Sequence, residues 1–291
     1  MKGNKVRSYA GSLLLCLLAL PLFAQQQDWK TNPRELVRKA VLNENQAEAG
    51  KEHFTYRDVK RTKNGTIETK QMVETPQVVL GRLVAINGKP LTETERQKED
   101  GRLNRLINNP DELAKKKKEQ QEDDQRARRM VRAIPDAFNF EYVSTEPGKE
   151  GDIVTLKFTP DPKWDPPNRE LQVFTGMSGT MKIAVPQYRM ALMQATLFKD
   201  VEFGWGFLGK LDKGGDFMIE QSQVYGNHWD LTHMKLHFTG KVLMVKSLNI
   251  QQDEQTSDYR PVPQMTVAQA LDKLKEAETE YAKAGASGGG K

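Results

Sequence analysis

From Phe138 to about Gln252 the sequence consists mostly of short runs in which apolar and polar residues alternate, each closed by a turn. This period-two rhythm narrows the possible folds more than any other feature of the chain. Short segments at Phe138–Val143, Ile153–Phe158 and Gln172–Thr175 come first. Longer ones follow at Thr180–Val185, Tyr188–Val201, Phe217–Tyr225, His228–Phe238 and Val242–Gln251. The link from Thr159 to Asn168 holds four prolines and reads as an extended loop. So many strands with short connections predict one large antiparallel sheet that curves into a barrel or part of one. Tyr188, Met190, Leu192 and Phe198 alternate with Ala191, Met193, Ala195 and Leu197, so this strand is apolar on both faces and must be covered on both. A helix could cover one face. The other could be a lipid-accepting groove or a second layer of protein.

Helices are expected on either side of this region. Asn32-Pro33-Arg34-Glu35 has the residue types of a helix start, and Leu36, Val37, Ala40 and Val41 give that helix one apolar face, ending near Gly50. A hairpin follows with Asn64-Gly65 at its turn, and Val78–Ile86 forms a third strand closed by Asn87-Gly88. Thr92 and Glu95 make a capping box for a second helix carrying Leu103, Leu106 and Ile107. Asn109-Pro110 restarts the helix, which from Lys115 to Arg129 has almost no apolar face. Such a stretch is most simply a solvated, ion-paired helix, and more specifically a docking arm for an acidic partner or anionic headgroups. At the far end Thr266 and Gln269 form another capping box. It opens a helix whose stripe of Val267, Ala270, Leu271, Leu274, Ala277 and Tyr281 should dock on the sheet, and residues 285–291 read as a disordered tail.

The chain begins like a secretory leader. Lys2, Lys5 and Arg7 precede an apolar run from Ser12 to Phe23 that is too short to span a bilayer, and Ala24 stands before three glutamines. The expectation is a signal peptide over residues 1–24, export to the periplasm, and a single domain over 25–284 with 92–131 as a charged helical insertion. Cys16, the only cysteine, follows Leu15 where a lipidation motif needs a small residue. Beyond the leader no disulfide or thiolate chemistry is available. Of the net charge of +5, three positive charges belong to the leader, leaving about +2 spread among interleaved acids. That distribution argues against nucleic-acid binding.

Signals for chemistry are weak. Gly204-Trp205-Gly206-Phe207-Leu208-Gly209-Lys210 fits a phosphate-binding pattern, but the following Lys210–Gly215 stretch is a turn leading to a strand, not the helix such a site needs. Neither a nucleotide nor any other cofactor is implied. His233 and His237 on a strand would lie roughly 13 Å apart and cannot share a metal. Ser178 lacks the glycine spacing of a nucleophile elbow. Methionines are more suggestive. Met177, Met181, Met190, Met193, Met218, Met234 and Met244 all fall in the β region, where thioether chains fill core gaps or adapt to flexible apolar ligands.

Three segments resemble the periplasmic outer-membrane lipoprotein-sorting family: Leu83–Thr92 running into the charged helix, Leu156–Pro162, and Val201–Gln221 followed by the strands closing at Ser257-Asp258-Tyr259-Arg260. The likeness covers most of residues 33–262. It implies an α+β fold, a curved antiparallel sheet forming an unclosed β-barrel with helices packed on its concave side. It also implies an apolar cavity between them that shuttles acyl chains or lipoproteins. The charged helix pair is an addition to that compact pattern.

The expected function is therefore non-catalytic binding or transport of a lipid or lipidated protein. Met190, Leu192, Phe198, Trp205, Phe207, Met234 and Phe238 are the candidate cavity residues. Lys115, Lys116, Lys117 and Lys118 are candidates for docking a partner or headgroups. The alternative is an envelope scaffold or adaptor that works through the charged helix at 111–131.

Overall fold

The computed structural model describes residues 29–46, 52–204, 208–243 and 246–288. The signal peptide expected at 1–24 lies outside them, as do Trp205 and Phe207. Thirteen strands form one antiparallel sheet: β1 (His53–Arg61), β2 (Ile67–Glu74), β3 (Val79–Ile86), β4 (Lys89–Pro90), β5 (Phe138–Gly148), β6 (Gly151–Pro160), β7 (Met177–Val185), β8 (Arg189–Leu197), β9 (Val201–Phe203), β10 (Gly209–Leu211), β11 (Asp216–Tyr225), β12 (His228–Val242) and β13 (Lys246–Val262). The strand order is β4-β3-β2-β1-β13-β12-β11-β8-β7-β6-β5, with β9 and β10 attached beside β12. The two ends do not pair, so the sheet is unclosed; the alternation allows a barrel or part of one, and the family resemblance implies the unclosed form. Its central seam pairs β1 with β13, joining the first strand to the last.

Among the described residues four α-helices pack on this sheet: α1 (Pro33–Gln46), α2 (Glu93–Asn108), α3 (Pro110–Ala137) and α4 (Val267–Gly288). Their starts follow the sequence signals. Asn32 Oδ1 accepts from the Glu35 amide, Thr92 and Glu95 close a reciprocal capping box, and Asn109 caps α3. Thr266 and Gln269 do the same for α4. That helix continues to Gly288, past the point where a tail is expected from the glycines.

Other elements also depart from the sequence reading. Gln172–Thr175 lies in a 3-10 helix (Glu170–Gly176), because its apolar residues Leu171, Val173 and Phe174 all turn into the core. Tyr188–Val201 is two strands, β8 and β9, separated by a turn in which Lys213 N donates to Asp200 Oδ1 at 2.8 Å. Helix α3 runs through Pro135 to Ala137, beyond the charged stretch. Ile134, Pro135 and Ala137 are buried, and that burial outweighs the cost of an interior proline.

The cross-strand register places two cores on opposite faces. The larger joins α1 and the C-terminal end of α3 to β5–β8, with Leu36, Val37, Phe138, Leu156, Met181 and Leu197 among its buried members. The smaller joins α2 and α4 to β2 and β3 through Val73, Leu80, Leu103, Leu106, Leu271 and Leu274. Paired residues in an antiparallel ladder share a face. The pairing Met193–Ile219–Met234–Glu254–Lys60–Glu68 therefore carries the face of the first core across to β2, and Val73, of odd parity, stands on the other face.

Helix α3 ties the two margins of the sheet together. At one end Gln120 accepts from Val79 N and donates to Val79 O, both at 3.0 Å, on the outer edge of β3. At the other end Ile134 and Ala137 lie in the larger core beside β5. The 18 residues from Gln120 to Phe138 span roughly 27 Å of helix. The sheet between β3 and β5 takes nine strand-to-strand steps, or about 43 Å along its surface. A chord shorter than its arc requires the sheet to curl toward the helix, so the face carrying α1 and α3 is the concave one.

Candidate functional site: the concave face beneath α3

On the concave face the ladder changes character at one seam. From β8 to β12 its rows are apolar: Ala195–Phe217–Leu236 and Met193–Ile219–Met234 lie side by side. Phe217, Leu236 and Ile250 pack against the main core while remaining half-buried. Ile219 and Met234 beside them are half-buried as well. At β13 and β1 the same rows turn charged. Met234 is followed by Glu254, Lys60 and Glu68, and Leu236 by Gln252. The next row pairs Asp58 with Thr256 on one side and Lys70 on the other. Ion pairs knit the charged part together: Lys60–Glu254 at 3.3 Å and Lys70–Glu68 at 3.2 Å.

Asp58 is 6% exposed. Burial pushes its carboxyl up to about 6, and the neighbouring Glu254 adds to the rise against the pull of Lys70 and Lys60. Its Oδ1 makes no hydrogen bond. From above, Lys116 of α3 approaches this half of the face. Burial lowers its pKa, and the positive charge of Arg102 lowers it further, with Lys70 contributing.

The middle of α3 is not packed on the sheet. Residues 121–127 are exposed on every side. A helix lying on a sheet buries a residue every third or fourth position, so these two turns are not packed on the sheet. The helix is held at its ends. On one side Gln120 grips β3. On the other Arg126 and Arg129 meet Glu170 at 3.3 and 3.1 Å just before the helix enters the core.

The α2–α3 hairpin also finishes the edge of the sheet. Glu99 accepts from Leu83 N at 2.9 Å, Arg102 donates to Gly81 O at 2.6 Å, and the Gln120 carboxamide takes both groups of Val79. Side chains thus occupy the ladder positions that another strand would use, and so protect an edge otherwise open to pairing.

The residues singled out from sequence are distributed by this register. Met234 and Phe238 stand on the concave face, the latter 8% exposed and packed under Gly215. Met190, also 8% exposed, lies on the same face beneath α1, where its amide donates to Glu44. Leu192 does not follow it. The β7–β8 register slips between Lys182 and Ile183, leaving Ala191 as an extra residue, so Leu192 pairs with Lys182 and Glu220 on the convex side. Phe198 is 45% exposed, beside Trp164 in a separate surface groove. Of the lysines, Lys115, Lys117 and Lys118 are exposed and Lys116 is half-buried. Lys115 and Lys118 meet Glu119 and Glu122 at 3.9 and 3.8 Å. His233 and His237 pair with separate carboxylates, Asp253 and Asp216.

Asp58, Lys60, Lys70 and Glu254 carry no sequence signal of a site. They meet only because β1 pairs with β13 at the other end of the chain. Gln120 and Glu99 read as surface residues, and nothing local marks them as edge caps.

No family model and no curated protein matches the chain. Solved structures do. One is described as an outer membrane lipoprotein-sorting protein domain from Vibrio parahaemolyticus (TM-score 0.31, 11% identity, 84% of this chain and all of that one). Another is a LolA superfamily protein from Nitrosomonas europaea (TM-score 0.26, 10% identity, 79% of this chain and 94% of that one). A DUF1329 family protein from Desulfovibrio piger matches at TM-score 0.27 and 11% identity, over 81% and 95% of the two chains. Such values describe a general likeness of fold and say nothing about a ligand.

Proposed function

We propose that the protein is a non-catalytic carrier for a lipid or the acyl chains of a lipidated protein, held on the concave face beneath α3. The observation that carries this reading is the combination of a half-buried apolar floor, Phe217, Ile219, Met234, Leu236 and Ile250, with a helix joining the two margins of the sheet whose middle turns bury nothing. An acyl chain on that floor contributes about 0.8 kcal/mol for each buried CH₂. The adjoining charged rows suit the polar end of an amphipathic ligand. The leader read from the sequence at residues 1–24 supports a periplasmic setting for this role. Met190 and Phe238 are sealed at the base of the trough, and Met234 is part of its half-buried floor.

The test is binding of a fluorescent fatty-acid probe, together with native mass spectrometry for co-purified lipid. Met234→Glu, which puts a charge on the half-buried floor, should abolish probe binding while the melting temperature stays within a few degrees. Failure of the folded wild-type protein to bind any such probe, with no lipid co-purifying, would refute the carrier reading. The adaptor reading through helix residues 111–131 would then take its place.

A further inference from the structure

Beyond the last pair of β12 with β11 (His237–Asp216) and of β13 with β1 (Asp253–Arg61), the β12–β13 hairpin runs on for five more pairs, from Phe238–Ile250 to Val242–Lys246. That is roughly 16 Å of strand. The short β9–β10 hairpin flanks it on the β12 side, and no strand among the described residues flanks β13 there. Phe238, Val242, Leu248 and Ile250 share the parity of Met234 and Leu236, so the apolar floor of the trough continues along this extension. On the other face Thr239, Lys241, Ser247 and Asn249 are exposed.

At the end of the extension apolar side chains face water. Leu243 is 61% exposed and Leu208 is 40% exposed, and neither belongs to a core. They come from separate hairpins and are joined there, the Leu243 amide donating to Leu208 O at 3.2 Å. Leu243 sits at φ +50°, a left-handed conformation uncommon for an L residue other than Asn or Asp. The charge around the two leucines is of one sign. From Phe203 to Leu211 and from Phe238 to Gln252 the sequence has no Asp or Glu and has three lysines, Lys210, Lys241 and Lys246. Lys210 is held by Asp200 and Asp212. Lys241 and Lys246 are exposed, and neither is in an ion pair among the described residues.

We propose that the joined ends of these two hairpins seat on a bilayer surface that contains anionic lipid. Leu208 and Leu243 enter the boundary between headgroups and acyl chains, and Lys241 and Lys246 meet the anionic headgroups. Apolar side chains edged by lysine suit an interfacial membrane contact, whereas the centre of a protein–protein interface is depleted in lysine. The apolar strip from Val242 and Leu248 to Leu236 and Met234 then leads a lipid from the bilayer to the trough floor without crossing water. That path rests on the carrier reading above, whereas the membrane contact itself does not.

Co-sedimentation of the purified protein with vesicles of phosphatidylcholine, with and without phosphatidylglycerol as the minor component, tests the contact. The protein should bind the vesicles containing phosphatidylglycerol at least tenfold more tightly than the others. Leu208→Ser combined with Leu243→Asn should weaken that binding about tenfold, and asparagine suits the left-handed turn, so the fold is kept. Lys241→Gln combined with Lys246→Gln should remove the preference for phosphatidylglycerol. Thermal melts confirm that both double variants are folded, and both should bind the fatty-acid probe as the wild type does. Wild-type protein that binds neither kind of vesicle, or binding indifferent to both double substitutions, would overturn the proposal. Concentration-dependent dimerisation that the leucine pair abolishes, in place of vesicle binding, would assign the leucines to a second copy of the chain and overturn it equally. Probe binding without vesicle binding removes the membrane contact and leaves the carrier reading intact. Vesicle binding without any probe binding keeps the contact and removes the lipid path with the carrier reading.

Discussion

Replacing Asp58 by asparagine should stabilise the protein, and only above a defined pH. The carboxyl is 6% exposed, and its pKa rises from an ordinary 3.8 to about 6, first through burial and then through Glu254. A group whose folded pKa is raised binds its proton more tightly in the native state, so stability falls as the pH climbs from the unfolded value to the folded one. Below about pH 4 the group is protonated in both states and costs nothing. Above pH 6 it is charged in both, and the penalty is fully developed. A rise of about two pKa units corresponds to roughly 3 kcal/mol at 1.36 kcal/mol per unit. The favourable pairing with Lys60 and Lys70 already reduces this figure. Asparagine keeps the shape and can donate to Glu254 without ever becoming charged, so Asp58→Asn should gain about 2 kcal/mol at pH 7.5 and close to nothing at pH 4. Urea unfolding of both proteins at pH 4, 5, 6 and 7.5 measures this directly. Subtracting the two curves removes every other titrating group. A constant difference across the range, or a gain that shrinks as the pH rises, would show that Asp58 is not a buried carboxyl held against Glu254.

Other substitutions probe the sheet and its strap. Gln120→Leu removes both bonds to Val79 and should cost about 1 kcal/mol; hydrogen exchange at the Val79 amide should quicken selectively, and unchanged protection there would refute the edge-capping role. Gly179→Ala sets a Cβ 1.9 Å from the carbonyl oxygen of Gln194 on the neighbouring strand, so a loss of about 2–3 kcal/mol is expected in chemical denaturation. Neutralising Lys115 to Lys118 together should change stability by only a few tenths of a kcal/mol, since ion pairs on an exposed helix contribute little; a large drop in melting temperature would show that the run is structural.

Local rules in the sequence determined much of the architecture. The period-two alternation implied a large antiparallel sheet, and the residue pairs Thr92/Glu95 and Thr266/Gln269 marked where helices begin, because capping needs only a side chain and an amide three residues away. The charged composition of Lys115–Arg129 likewise implied a helix with little to bury. What depended on distant partners was not legible. Gln172–Thr175 alternates too briefly to distinguish a strand from a 3-10 turn, and burial of Leu171 and Phe174 against other elements decided it. Whether Leu192 shares a face with Met190 depended on one extra residue in the β7–β8 ladder, since a slip of one position reverses every side chain beyond it. The charged half of the trough exists only because His53–Arg61 pairs with Lys246–Val262, which brings Asp58 and Glu254 together from opposite ends of the domain. Which residues form strands follows from neighbours a few positions away, but which face a side chain joins, and what it meets there, is set by registers between strands nearly two hundred residues apart.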